Sequence, residues 1–106
     1  GNHLGDIGAA IATYVRGKKF GIAEGLTGHG IGHELHEDPS VYNFGKTCAG
    51  MELTPGLVIA IEPMTTAGSG KLVQLPDDSY ATADSSLSAH FEHTIAITEK
   101  GPIILT

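Results

Sequence analysis

Leu57-Val58-Ile59-Ala60-Ile61-Glu62-Pro63 is the stretch on which the reading of this chain turns. Its apolar residues fall on both faces of an extended backbone, which predicts a central strand covered on both sides. Pro63 has no N–H to give to a sheet ladder and ends it. Side chains alternate along a strand, so Glu62 shares a face with Val58 and Ala60. A carboxylate at the end of a covered strand carries a heavy desolvation cost unless it is paired or coordinates a cation. No lysine or arginine lies nearby in the sequence.

A second strand of the same kind follows in Phe91-Glu92-His93-Thr94-Ile95-Ala96-Ile97-Thr98. Phe91, His93, Ile95 and Ile97 take one face, and Glu92, Thr94 and Ala96 the other. A second glutamate therefore sits on the small-residue face of an apolar strand. Toward the N-terminus, Gly28-His29-Gly30-Ile31-Gly32-His33-Glu34-Leu35-His36-Glu37-Asp38-Pro39 gathers three imidazoles and three carboxylates in twelve residues. Histidine and carboxylate are the usual ligands of divalent metals, and glycine lets a ligand approach the main chain. His33 and His36 are three apart, not the four that the zinc-protease helix requires. Taken alone, the stretch also suits a polar loop with solvated histidines.

A lone glutamate on a strand reads as a partnered or edge-exposed carboxylate. Two of them together with His29 read as a cation site, because a divalent ion offsets both their desolvation and their mutual repulsion.

Around these segments the sequence predicts one α+β unit spanning 1–106. Leu4, Ile7, Ala10, Ile11, Tyr14 and Val15 recur at helical spacing, with Asp6 in the first turn and Gly17 ending the helix after Arg16. Short strands are expected at Phe20–Ala23, Lys71–Leu75, Tyr80–Thr82 and Ile103–Leu105. Ser40–Phe44 is expected to be extended, Gly45–Pro55 a loop, and Thr66–Gly70 a turn.

The 106 residues carry 12 Asp and Glu against 6 Lys and Arg, a net charge of −6, with 15 glycines and no tryptophan. That balance argues against a nucleic-acid partner, which needs a basic patch. The single Cys48 cannot form an internal disulfide, as expected in a reducing cytoplasm. No apolar run is long enough to suggest a membrane span.

Gly28-His29-Gly30-Ile31-Gly32 with His36-Glu37-Asp38-Pro39, Leu53-Thr54-Pro55-Gly56 leading into Ile61-Glu62-Pro63-Met64, Ala89-His90-Phe91-Glu92-His93-Thr94, and the ending Gly101–Thr106 together resemble the C-terminal part of the type I methionine aminopeptidases, of the pita-bread metallopeptidase family. Gly5-Asp6-Ile7-Gly8 is similar to the start of that family's preceding helix. The resemblance implies the C-terminal half of the pita-bread fold, a curved antiparallel sheet with a helix on its outer face. It also implies a cytoplasmic dinuclear hydrolase that removes N-terminal methionine from nascent proteins and peptides.

On the same resemblance, His29, Glu62 and Glu92 match metal ligands, Glu62 also matches the general base, and His36 matches the histidine that contacts the scissile peptide. The ligand types accept manganese, iron, cobalt or zinc. His3 and His33 are expected to be solvated or packed neighbours, His90 to be a packing residue rather than a ligand, and His93 to orient its surroundings. Proline-specific peptidases share the histidine segment and the Ile-Glu-Pro strand, but their last motif usually reads Arg-Ile-Glu-Asp. Ala60, where the family often has threonine, and Tyr80, where it often has tryptophan, depart from the pattern.

The family also uses two aspartates and a histidine that lie upstream of the matched segment, and Asp77, Asp78 and Asp84 do not occupy those positions. The chain, beginning at Gly1 almost directly in a helix, is therefore expected to be a partial domain. Alone it would be inactive, with one weakly bound metal or none, and with sheet edges open to the missing N-terminal half or to a second copy. The competing reading is a non-catalytic half-domain that acts in binding or dimerisation.

Overall fold

The structure, a computed structural model, describes residues 1–106. One helix, α1 (Leu4–Gly17), precedes ten short strands: β1 (Gly21–Ile22), β2 (Gly28–Gly30), β3 (Glu37–Val41), β4 (Val58–Ile61), β5 (Met64–Thr66), β6 (Leu72–Gln74), β7 (Tyr80–Thr82), β8 (Ser88–His90), β9 (His93–Thr98) and β10 (Gly101–Ile104). They form an antiparallel five-stranded sheet in the order β10-β9-β4-β2-β3, a three-stranded sheet β1-β5-β8, and the β6-β7 hairpin.

As its apolar run predicts, β4 is central, between β9 and β2. Ile59 is fully buried in a cluster with Val41 and Ile95, over which Leu4 and Ile7 of α1 are packed. The helix thus covers one face of the five-stranded sheet. Its later residues Ala12 and Val15 pack on Ile22 of β1. At the start of α1, the Asp6 carboxylate accepts the His3 N–H at 2.7 Å and the Cys48 N–H at 2.9 Å. These two bonds lower its pKa and tie the long loop to the helix.

Two elements arise where sequence periodicity is silent. The expected strand Phe91–Thr98 begins only at His93, as β9, and is preceded by an unforeseen strand, β8, that ends at His90. The expected turn at Thr66 is preceded by β5, immediately beyond Pro63. β4 pairs with β9 from Val58↔Ala96 to Ile61↔His93, and β5 pairs with β8 from Met64↔His90 to Thr66↔Ser88. The register is the same on both sides of the interruption. A single two-stranded ribbon therefore runs from one sheet into the other, and Glu62-Pro63 faces Phe91-Glu92 at its bend. The physical cause is Pro63, which offers no donor there; the remaining bond, from the Phe91 N–H to the Pro63 carbonyl, is long at 3.5 Å.

Candidate metal centre

The same register assembles the site. His29 on β2 lies opposite Ala60 on β4, and Ala60 lies opposite Thr94 on β9. Residues directly opposed across a sheet share a face, so His29 joins Ala60, Glu62, Thr94 and Glu92 on the side away from Ile59 and α1. Ala60 is fully buried beneath them. Its small side chain leaves room for an imidazole and two carboxylates.

β2 approaches both of its neighbours closely. A side chain at Gly28 would collide with the Ala60 carbonyl, and one at Gly30 with the Asp38 carbonyl. Glycine on each side of His29 is thus the condition for β2 to fit between β3 and β4.

His29 and Glu62 are largely buried, with side chains 12% and 13% exposed, whereas Glu92 is 45% exposed. His29 Nε2 is 3.3 Å from Glu62 Oε1 and 4.0 Å from Glu92 Oε1. One donor atom from each of the three residues lies within 4.8 Å of the others, and no other three-donor group of this kind occurs in the chain. His29 Nδ1 is 2.9 Å from the Gly30 carbonyl. A carbonyl only accepts, so Nδ1 carries a proton, and in the neutral ring Nε2 is left with a lone pair toward the two carboxylates. This is the tautomer and orientation that a metal-ligating imidazole needs. One neutral imidazole nitrogen and two carboxylates suit a divalent cation of the manganese-to-zinc range.

His36 sits at the edge of the group, its ring centroid 4.2 Å from that of His29. It is exposed, as is His33 beyond it. The four residues expected to do chemistry are thus brought together. Asp77 and Asp84 are elsewhere, accepting hydrogen bonds within their turns from Ser79 and Ser86, and Asp84 accepts a further one from the distant Ser69 N–H. Ser86 and the N–H of Ser69 hold the Asp84 pKa down at about 2. His93 turns its Nδ1 to the Thr106 carbonyl at 2.8 Å and orients the end of the chain.

Two contacts were not foreseen. Asn43, buried just after β3, donates from Nδ2 to the Glu62 carbonyl at 3.4 Å, at the point where strand pairing lapses. His90, expected to be packed, is 49% exposed and lies 3.1 Å from Glu62 Oε2 through Nε2. Both depend on the bend and on pairings between distant segments. Neither leaves a signal in local sequence.

Residues 1–99 match metallopeptidase family M24. The chain is 48% identical over 107 residues to methionine aminopeptidase 1 of Bacillus subtilis, covering all of this chain and 43% of that protein. It is 48% identical over 113 residues to methionine aminopeptidase 1 of Mycobacterium tuberculosis, covering 42% of it. Among solved structures, the methionine aminopeptidase of Thermotoga maritima superimposes with a TM-score of 0.97 at 44% identity, over the whole of this chain and 43% of that one. That of Rickettsia prowazekii gives 0.94 at 40%, over 98% and 43%. The chain therefore spans about two fifths of the length of the curated relatives it matches. The pita-bread architecture that the family resemblance implies holds along the whole chain, which belongs to metallopeptidase family M24.

Proposed function

We propose that this chain supplies His29, Glu62 and Glu92 to the dinuclear metal centre of a methionine aminopeptidase, a cytoplasmic enzyme that removes N-terminal methionine from nascent proteins and peptides. The observation that carries this reading is the convergence of three donor atoms within 4.8 Å on one sheet face, with His29 Nδ1 held 2.9 Å from the Gly30 carbonyl. The names of the relatives point to methionine rather than to the proline-specific branch.

Three donors suffice for part of a two-metal centre, so the remaining ligands come from residues outside these 106. Surface area supports this. A monomer of 11.0 kDa is expected to expose about 5,600 Å², whereas the chain exposes 6933 Å². Its radius of gyration is 14.3 Å, against about 13 Å for a compact domain of this length. Leu35 and Phe91, beside the site, are 68% and 76% exposed. The partner is an N-terminal half that closes over the face bearing His29 and Glu62.

Bound divalent ions, manganese, iron, cobalt or zinc, would polarise the scissile carbonyl and provide a water that is acidic at neutral pH. Glu62 accepts a proton from the attacking water and delivers it to the departing amine. His36, exposed beside His29, donates to the peptide oxygen as negative charge develops there. Glu92, 45% exposed, would add its carboxylate to the ligands that hold the ions.

The test is hydrolysis of a Met-Ala peptide by the enzyme assembled from this chain and the segment bearing the other ligands. Release of free methionine, with an Xaa-Pro peptide left intact, is the expected result. Cleavage of the Xaa-Pro peptide instead would move the chain to the proline-specific branch.

A further inference from the structure

The two oxygens of Glu62 have different neighbours. Oε1 lies 3.3 Å from His29 Nε2, within the three-donor group. Oε2 lies 3.1 Å from His90 Nε2. His90 is not itself a member of that group; it meets Glu62 at the oxygen other than the one nearest His29. It arrives from β8, in the three-stranded sheet, opposite Met64 and two residues beyond Glu62 along the ribbon. The contact therefore spans the bend between the two sheets, where backbone pairing is weakest.

We propose that His90 is a positioning residue: its Nε2–H donates to Glu62 Oε2 and fixes the carboxylate rotamer so that Oε1 faces His29. Terminal carboxylate torsions are broad, with no single staggered well to set them. Strand geometry alone therefore leaves the plane of Glu62 free. Asn43 fixes the Glu62 backbone through its carbonyl, and His90 fixes the far end of the side chain. The two histidines use opposite tautomers: His29 keeps its proton on Nδ1 and presents Nε2 bare, while His90 carries its proton on Nε2 to meet a carboxylate. His90 also lines a cavity of about 180 Å³ with Leu26, Met64 and Tyr80.

This inference rests on the reading of Glu62 as a metal ligand, and its test separates the two. In the complete enzyme, His90→Ala, His90→Gln and Glu62→Ala are compared by calorimetric titration with manganese and by steady-state kinetics on a Met-Ala peptide. Losing a partner that orients a metal ligand lowers metal affinity or turnover by about 10–100-fold. His90→Ala is expected to show that loss in manganese affinity and in kcat, with KM changed less than about twofold. His90→Gln, whose amide N–H can still donate to Oε2, is expected to recover most of both. Wild-type manganese affinity and kcat in His90→Ala would overturn the proposal. So would a His90→Gln variant as impaired as His90→Ala, since donation to Oε2 would then not be the role. Unchanged manganese affinity in Glu62→Ala would instead overturn the metal-ligand reading itself.

Discussion

Ile59 and Ala60 are neighbours on β4 and are equally inaccessible, yet the two faces they occupy have opposite composition. On the Ile59 side, Val41, Ile95, Leu4 and Ile7 close a core between sheet and helix. On the Ala60 side, His29, Glu62, Glu92 and Thr94 surround a methyl group. A strand alternates every residue, so one short segment serves stability and chemistry independently. The apolar face holds the backbone in place, and the small residue opposite leaves space in which donors from β2 and from the residues flanking β4 and β9 converge.

If the two faces are independent, substitutions on them have separable effects. The largest is expected for Glu62→Gln in the complete enzyme, where loss of the proton shuttle lowers kcat by about 10²–10⁴-fold. The urea midpoint should stay near wild type. Wild-type turnover would remove Glu62 from the mechanism. On the other face, Ile59→Ala removes a fully buried side chain and is expected to cost about 2–5 kcal/mol in urea denaturation. Manganese affinity per folded molecule should be unaltered.

Ala60→Val probes the boundary between the faces. Two added methyl groups beneath His29 and Glu62 are expected to cost about 1–3 kcal/mol in stability by overpacking. Unlike Ile59→Ala, this variant should also weaken manganese binding in a calorimetric titration.

The smallest effect is expected at a carboxylate far from the centre. The Asp84 pKa falls from the ordinary 3.8 to about 2 because Ser86 and the Ser69 N–H favour its charged form. A depressed carboxylate contributes stability that is fully present above 3.8 and is lost as pH falls toward 2. Asp84→Asn should flatten the decline of the urea midpoint over that interval and leave it unchanged in shape above pH 5. A decline identical to wild type would mean that the turn carboxylate has no linkage to folding.

The same contrast accounts for what was legible in the sequence. Apolar patterning exposed α1, β4 and β9, because these elements build the core and their burial dictates residue type. It also singled out Glu62 and Glu92, since a carboxylate on such a strand demands an explanation. β5 and β8 were missed: Met64-Thr-Thr66 and Ser88-Ala-His90 carry no strong alternation, and their pairing is inherited from the register of β4 with β9. β2 gave no strand signal because two of its three residues are glycines, needed there for close approach. Asn43 and His90 act on Glu62 only through a bend made by segments about 20 and 30 residues apart, a separation that local physical rules do not reach. The resemblance to the aminopeptidase family supplied the role of His36, which no spacing rule could give.

The central claim is that these 106 residues carry one part of a metal centre whose other ligands lie outside them. Calorimetric titration of the purified chain with manganese tests it most directly. At most one weak site per chain is predicted, lost in His29→Ala, and two tight sites per chain would contradict the account.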